Sequence, residues 1–257
     1  MAALRSDLID LYLTAVRDSL TGTLYNDPPL SQRSFDPEVR QYGWDWPSTA
    51  LTMIGTKRMD NLRSLVESVL GNHIEGDLME TGVWRGGAVI YMRAVLRAYR
   101  VTDRRVWAAD SFEGLPEPDT KNYPEDAESK FHEQQELSVS LEEVRDNFKR
   151  YGLLDDQVVF LKGWFRDTLP AAPVEKLALL RLDGDMYEST MDALKALYDK
   201  LSPGGYVIVD DYHVVPSCRK AVADFCATRR IAPKLEEIDG VGVFWRKPLN
   251  EPNGSGE

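Results

Sequence analysis

The sequence predicts a single-domain α/β protein of 257 residues, with a mostly parallel sheet of seven strands and one antiparallel strand. Strand-like apolar runs alternate with helical patterns from residue 77 onward. The first five strands are separated by connections long enough for crossovers, whereas the last two flank Asp239-Gly240, a dipeptide typical of a tight hairpin. A crossover keeps two strands parallel and a hairpin reverses the chain, so only one strand should oppose the others.

Apolar residues at helical spacing predict two helices ahead of the sheet. A loop rich in proline, aspartate and aromatic residues separates these helices between residues 25 and 47. We expect residues 1–72 to form an N-terminal helical extension with a loop that covers substrate and cofactor. The first helix carries Ile9, Tyr12, Leu13, Val16 and Leu20, and the second carries Met59, Leu62, Leu65, Val66 and Val69 and stops at Gly71.

The core of the domain is expected over residues 73–248, followed by a disordered polar tail at residues 249–257. One segment, residues 112–138, is rich in proline and acidic residues and lacks a sustained apolar period. Because it leaves the carboxyl end of the second strand, we expect a lid rather than disorder. Strands are predicted at 77–80, 105–109, 158–161, 177–182, 206–209, 234–238 and 241–245, and helices near 86–100, 139–151, 189–200 and 217–229.

The composition excludes several classes of protein. A net charge of −11 argues against nucleic acid as a partner, since a nucleic-acid-binding face is basic. No apolar run approaches the length that spans a membrane. Cys218 and Cys226 lie about 12 Å apart along a predicted helix, which is too far for a disulfide. A location in the reducing cytoplasm is therefore expected. Assembly as a homo-oligomer is a separate expectation.

Aspartates follow two of the predicted strands at the point where each strand ends. Asp183-Gly184-Asp185 follows the fourth strand, and Asp210-Asp211 follows the fifth. The carboxyl ends of parallel strands line one crevice, so these side chains should converge there. Converging carboxylates repel one another unless a cation lies between them, and oxygen ligands favour Mg²⁺ over Zn²⁺. Solvated turn residues are the alternative interpretation.

A glycine-containing loop follows the first strand and opens a helix. It reads Glu80-Thr81-Gly82-Val83-Trp84-Arg85-Gly86-Gly87 and has neither the dinucleotide-binding spacing nor the lysine of a phosphate loop. Glycine lets the backbone approach a ligand, and the carboxylate of Glu80 suits an ammonium group rather than a phosphate. A plain turn would also explain the pattern.

Two further strand ends extend this site. Asp110-Ser111 ends the second strand, where an acid commonly accepts hydrogen bonds from ribose hydroxyls. Gly163-Trp164 follows the third strand, where a flat indole could hold a purine. With Glu80 and Gly82, these residues outline an amino acid, a ribose and a base in strand order. S-adenosylmethionine has those three parts.

With these motifs in place, the chain resembles the macrocin O-methyltransferase family from about residue 10 to residue 246. The resemblance implies a seven-stranded Rossmann-like methyltransferase fold, S-adenosylmethionine as cofactor with S-adenosylhomocysteine as product, and Mg²⁺ held by Asp183, Asp210 and Asp211. The motifs that carry it are the loop at residues 80–87, Thr52-Met53-Ile54-Gly55, Ala109-Asp110-Ser111-Phe112, Gly163-Trp164-Phe165, Leu182-Asp183-Gly184-Asp185, and the stretches at residues 151–158 and 201–205.

The resemblance also implies that the acceptor is a sugar hydroxyl on an antibiotic or its precursor. The 3-hydroxyl of TDP-rhamnose, in the synthesis of an enediyne-type antibiotic, is the specific expectation, with Lys57, Arg58, Lys121 and Lys130 as candidates for its diphosphate. The candidate cofactor-binding residues are Met53, Glu80, Thr81, Gly82, Asp110, Ser111, Gly163 and Trp164, and the candidate catalytic residues are Asp183, Asp185 and His132.

Three alternatives compete with this interpretation. A catechol-type methyltransferase would place similar acids at the same strand ends. An aspartyl-phosphate phosphatase uses comparable Asp motifs and Mg²⁺, but it leaves the loop at residues 80–87 without a role. A non-catalytic nucleotide-binding module explains that loop and leaves the acids unexplained. A serine or cysteine nucleophile finds no support, since no Gly-x-Ser-x-Gly elbow occurs.

Overall fold

A computed structural model describes residues 2–249, so the expected disordered tail lies outside the described residues apart from Leu249. The seven expected strands form one sheet in the order β3-β2-β1-β4-β5-β7-β6. Only β7 runs against its neighbours, which confirms the mostly parallel sheet. The strands are β1 (Asp77–Thr81), β2 (Val106–Asp110), β3 (Val158–Lys162), β4 (Leu177–Leu182), β5 (Leu201–Val209), β6 (Glu236–Glu237) and β7 (Val243–Arg246).

Helices cover both faces of the sheet, which explains why the central strands are apolar on both sides. In β1, Leu78 packs into the core under α1, α3, α4 and α5, whereas Met79 packs into the core under α7 and α8. The helices are α1 (Ala2–Leu20), α2 (Pro37–Gln41), α3 (Gly55–Gly71), α4 (Gly87–Ala98), α5 (Leu141–Arg150), α6 (Phe165–Thr168), α7 (Tyr187–Leu197) and α8 (Pro216–Arg229). No described helix is both long enough and apolar enough to cross a bilayer.

The last hairpin, which the sequence predicts at Asp239-Gly240, joins β6 to β7. Its first strand, β6, is only two residues long, and the connection occupies residues 238–242. Asp239 shapes this loop, because its Oδ1 accepts hydrogen bonds from the backbone N–H groups of Val241 and Gly242 at 3.0 and 3.1 Å. The prediction of a tight hairpin is confirmed, since the backbone N–H of Ile238 donates to the carbonyl of Gly242 at 3.0 Å and leaves only residues 239–241 in the turn.

The expected lid segment, residues 112–138, runs over the carboxyl edge of the sheet as short 3-10 turns at Pro124–Asp126, Phe131–Glu133 and Gln135–Leu137. Hydrogen bonds at Glu136 and at Asp126 are among the contacts that attach it to the domain. The indole Nε1 of Trp84 donates to the carbonyl of Glu136 at 2.8 Å. The buried carboxylate of Asp126 accepts from the backbone N–H groups of Tyr187 and Glu188 at 2.7 and 2.9 Å. These bonds cap α7, which has no cap from its own N-terminal residue.

Candidate active site

A cavity of about 400 Å³ opens at the carboxyl ends of β1 to β5, between residues 43–54 and the lid segment. The structure brings most of the expected site residues together on its wall. The expected residues on the wall are Met53, Glu80, Gly82, Asp110, Ser111, Gly163, Trp164, Asp183, Asp185, Asp210 and Asp211.

Two of the residues expected to bind the cofactor or act in catalysis do not line this cavity. Thr81 is buried in β1, where its hydroxyl donates to the carbonyl of Arg181 at 3.4 Å, so it supports the cavity floor from behind. His132 lies in the lid segment with its Nε2 4.0 Å from Glu133, and its neighbour Phe131 faces the cavity instead. His132 is therefore not part of the cavity wall as the structure describes it, and its catalytic role stays a prediction.

Gly82 ends β1 with a φ of +85°, in the region where glycine is favoured. A Cβ at this position would collide with the carbonyl oxygen of Asp183 at the end of β4. Glycine is thus required here because the ends of two neighbouring strands approach each other closely. The sequence offered ligand approach or a plain turn as the reason for glycine, and the structure adds the protein's own backbone at Asp183.

Asp110 connects the ends of two loops at the cavity rim. Its carboxylate accepts from the backbone N–H of Val83 at 2.7 Å and from that of Phe112 at 2.6 Å. Burial raises the pKa of Asp110, while these donors act in the opposite direction. The hydroxyl of Ser111 also donates to Oδ1 at 3.4 Å, whereas Oδ2 accepts from Val83 and has a second lone pair for a ligand hydroxyl.

Asp183, Asp185, Asp210 and Asp211 form an acid cluster at the ends of β4 and β5. Oxygens of Asp183, Asp210 and Asp211 all lie within 4.8 Å of one another. Burial raises the pKa of Asp211, and the Asp185 carboxylate adds to the shift. Burial and the neighbouring Asp183 raise the pKa of Asp185 to about 8. Asp185 and Asp211 thus resist ionisation, first because they are buried and second because neighbouring carboxylates carry the same charge.

Two arginines that the sequence analysis did not place in the acid cluster partly neutralise it. Arg181, in the middle of β4 and 1% exposed, donates to Glu80 at 2.5 Å, to Asp183 at 2.7 Å and to Asp210. Arg58, from α3, donates to Asp210 and lies 3.0 Å from the carboxylate of Asp239. An arginine inside an otherwise apolar strand was the available signal, since a buried guanidinium requires acidic partners.

The acid cluster fits a divalent cation. Together with Glu80, its carboxyl groups outnumber the two arginines that reach them. The raised pKa values of Asp185 and Asp211 indicate that these arginines supply too little positive charge to stabilise all the acids in their ionised form. Every potential ligand atom is a carboxylate oxygen, the donor type that Mg²⁺ prefers. Asp183, Asp210 and Asp211 are thus suited to hold such an ion.

Fold and site together define the class. The sheet order, with its single antiparallel strand and a glycine loop after β1, is that of the Rossmann-like methyltransferases, and the protein is an O-methyltransferase. Residues 11–247 match the profile of the macrocin-O-methyltransferase (TylF) family. The chain belongs to this family, as its motifs indicate. Membership also removes the phosphatase and the non-catalytic module from the alternatives.

Characterised relatives cover nearly the whole chain. It is 55% identical over 245 residues, 93% of this chain and 94% of the relative, to 8-demethyl-8-(2,3-dimethoxy-alpha-L-rhamnosyl)-tetracenomycin-C 4'-O-methyltransferase of Streptomyces olivaceus. It is 53% identical to demethyldecarbamoylnovobiocin O-methyltransferase of Streptomyces niveus, with coverage of 92% and 93%. The solved structure of the O-methyltransferase NovP superposes with a TM-score of 0.91 at 53% identity, covering 93% of this chain and 99% of that one.

The enzyme whose acceptor the sequence analysis favoured is a more distant match. A calicheamicin methyltransferase superposes with a TM-score of 0.62 at 21% identity, over 91% of both chains. At this identity the likeness establishes a shared fold and gives no evidence that the two proteins act on the same acceptor.

Proposed function

We propose that the protein transfers the methyl group of S-adenosylmethionine to a sugar hydroxyl of a glycosylated natural product, with Mg²⁺ as a second cofactor. One observation carries the proposal: a single cavity joins the glycine loop, Asp110 and Trp164 to the acid cluster. A methyl donor and a hydroxyl acceptor could therefore meet within one enclosed space. The names of the relatives support the acceptor class, since one of them acts on a rhamnosyl tetracenomycin.

The cofactor would lie along the carboxyl edge of β1, β2 and β3. Gly82 leaves room beside Glu80 for its amino-acid part, Asp110 is placed to accept from the ribose hydroxyls, and Trp164 lies beside the base. Met53 and Ser111 complete the wall. Holding donor and acceptor in line supplies much of the acceleration in such reactions, up to roughly 7–11 kcal/mol in favourable systems.

Asp183, Asp210 and Asp211 would hold the divalent ion. A bound divalent cation lowers the pKa of a hydroxyl that it coordinates, which turns a weak nucleophile into an effective one. Chelation with EDTA should therefore abolish turnover, and added Mg²⁺ should restore it. Binding of S-adenosylhomocysteine, measured by calorimetry in the same EDTA buffer, should persist, because none of the residues assigned to the cofactor belongs to this ligand set. Full turnover in EDTA would reject the metal assignment.

Asp185 is the residue we assign as acceptor of the hydroxyl proton, with Asp183 as the alternative. The carboxylate of Asp183 already accepts a hydrogen bond from Arg181 and belongs to the metal ligand set. Among the described residues, no hydrogen bond reaches the carboxylate of Asp185, which also faces the cavity. The freer of the two carboxylates is the better-placed base.

The charges on the cavity wall favour an uncharged glycoside over a nucleotide sugar. Its acids far outnumber its arginines, Arg58 and Arg166, and both arginines pair with acids of the protein. Lys121 and Lys130 do not line the cavity, and the ammonium of Lys57 lies 3.5 Å above the ring of Tyr42. A diphosphate would thus meet repulsion rather than donors.

The apolar part of the same wall suits the aglycone of a glycoside. Trp44 is 64% exposed and stacks on Tyr42 with ring centroids 4.5 Å apart. Trp44 and Trp46 line both the cavity and an adjoining groove. An exposed aromatic platform beside the reaction site can hold a flat or apolar ring system while the sugar reaches the acid cluster. The remaining apolar residues on the cavity wall include Leu115, Pro116, Phe131, Val214 and Val215.

The acceptor is tested with trideuteromethyl S-adenosylmethionine, Mg²⁺ and four compounds compared by mass spectrometry. These are a rhamnosylated aromatic polyketide, TDP-rhamnose, free rhamnose and a catechol. We expect the glycoside to be methylated fastest. Preferred methylation of TDP-rhamnose at its 3-hydroxyl would keep the enzyme class and restore the nucleotide-sugar acceptor. A faster reaction with the catechol would reject a sugar acceptor altogether.

The protein is further proposed to self-associate through α1. One face of this helix packs into the core through Leu13, Val16 and Leu20, whereas Leu8 and Leu11 on another face are 57% and 66% exposed. Leu4 continues this face, so apolar side chains recur at helical spacing toward solvent. The charged residues of α1 carry both signs, which lets a second copy of the helix lie against it without net repulsion.

A further inference from the structure

Glu188 lines the cavity, but no role described so far uses it. It lies in the first turn of α7 and is 5% exposed. Its Oε1 accepts a hydrogen bond from Arg166 at 3.1 Å. Its Oε2 is buried and has no hydrogen-bond partner among the described residues. Leaving a buried acceptor unpaired costs free energy, so an oxygen of this kind on a cavity wall indicates a ligand that donates to it.

The bond to Arg166 fixes which end of the cavity Glu188 faces. Arg166 lies in α6, which begins immediately after Gly163-Trp164 at the end of β3. In the sheet, β2 separates β3 from β1 and hence from Glu80. A cofactor with its amino-acid part at Glu80 and its ribose at Asp110 would carry its base to the β3 end. Glu188 therefore lies at the end of the cavity that the base would occupy.

We propose that Glu188 accepts a hydrogen bond from the exocyclic amino group of the cofactor's adenine and so selects adenine over a 6-oxopurine. The inference rests on the proposed use of S-adenosylmethionine. An ionised carboxylate only accepts hydrogen bonds, and the adenine amino group is a donor. A 6-oxopurine places a carbonyl oxygen at the same position, so two acceptors would face each other without a proton between them.

The side chain of Glu188 is held in place before any ligand arrives. Arg166 fixes one carboxylate oxygen, and Asp126 fixes the backbone N–H at 2.9 Å. The ring of Tyr123, from the lid segment, lies 6.0 Å from that of Tyr187, the residue before Glu188. Because the acceptor is preorganised, little conformational entropy is lost when the amino group binds, and discrimination between bases should be sharp.

The test compares S-adenosylhomocysteine with S-inosylhomocysteine, its 6-oxo analogue, by calorimetry on the full-length protein in EDTA. Wild type should bind the adenosyl compound roughly ten- to a hundredfold more tightly than the inosyl compound. This factor is typical when a hydrogen bond to a charged group is lost and the charged group is left without a partner. In Glu188→Gln, the amide oxygen can still accept from Arg166 and the amide nitrogen replaces Oε2. The affinity ratio should then fall to about one or invert, since a donor now faces the base.

The ratio separates recognition from a merely structural role, because a folding defect weakens both compounds alike. Asp192→Asn is the matched control: Asp192 lies one turn further along the same wall, and its replacement should leave the ratio unchanged. Equal binding of both compounds by wild type overturns the inference. It is also overturned if Glu188→Gln keeps the wild-type affinity ratio, or if Asp192→Asn changes that ratio and Glu188→Gln does not. If wild type binds neither compound, the cofactor assignment itself is wrong.

Discussion

Arg181 determines which carboxylates of the acid cluster remain available to a ligand. It reaches Glu80, Asp183 and Asp210 from a fully buried position on the central strand β4. Removing one partner of a buried ion pair costs about 3–5 kcal/mol, because the other charge is left without compensation. Arg181 is therefore a structural requirement of the site, and substitutions of the acids have to be interpreted with that cost in mind.

Replacement of Asp185 and of Asp183 by asparagine should separate proton transfer from metal binding. Asp185→Asn should lower kcat by roughly 10²- to 10⁴-fold, the usual contribution of a general base, with the dependence on Mg²⁺ concentration unchanged. Asp183→Asn should lower kcat and also raise the Mg²⁺ concentration needed for half-maximal rate. Steady-state kinetics over a Mg²⁺ series measure both effects. A wild-type rate in Asp185→Asn would return the role of base to Asp183.

Gly82→Ala should destabilise the fold more than a change at a glycine with the same backbone strain but free space around it. Gly152 is that control, since its φ is +64° and a Cβ there would meet nothing within 4 Å. A left-handed residue other than glycine costs about 1–2 kcal/mol at either position. The collision with Asp183 adds to this cost only at Gly82. Thermal unfolding of both variants measures the difference, and equal shifts in Tm would contradict the packing assigned to Gly82.

Strands and loops differ in how far the sequence reveals them. The central strands are buried on both sides, so their apolar runs identified them and placed Asp110, Asp183 and Asp210 at one edge. The short helices α2 and α6 carry too few residues to show a period. The strand predicted at residues 234–238 shortens to the two exposed residues of β6. The pairing of Arg58 with Asp210 and Asp239 could not be predicted, because it joins α3, β5 and the last hairpin.

Loss of the Asp126 carboxylate should loosen the lid segment. Asp126→Ala leaves the first N–H groups of α7 without their acceptor, which costs about 0.5–2 kcal/mol for a helix cap. We expect faster amide hydrogen exchange across residues 112–138 and at the start of α7, together with a higher KM for the acceptor. Asp119→Asn, in the exposed part of the same segment, is the control. Unchanged exchange in Asp126→Ala would show that the lid segment is held by other contacts.

Two properties of the whole molecule have opposite effects on its self-association. Its net charge of −11 disperses copies of the protein in solution, whereas the exposed leucines of α1 favour association. The double change Leu8→Glu and Leu11→Glu should shift the protein toward a monomer, as measured by light scattering across a dilution series. Leu249→Glu, at an equally exposed leucine outside α1, should not. If the wild-type protein is a monomer at every concentration, the prediction of a homo-oligomer is wrong.

Because Arg181 joins Glu80 to Asp183 and Asp210, the two ends of the cavity are energetically linked. A ligand charge that displaces this guanidinium from one carboxylate changes how firmly it holds the others. Such linkage is reciprocal. If a divalent ion changes the affinity for the methyl donor by some factor, the donor must change the affinity for the ion by the same factor. Titrating each in the presence and absence of the other closes a four-state cycle. The size of that coupling factor would measure how strongly Arg181 connects the metal ligands to Glu80, and no movement of domains is required for it.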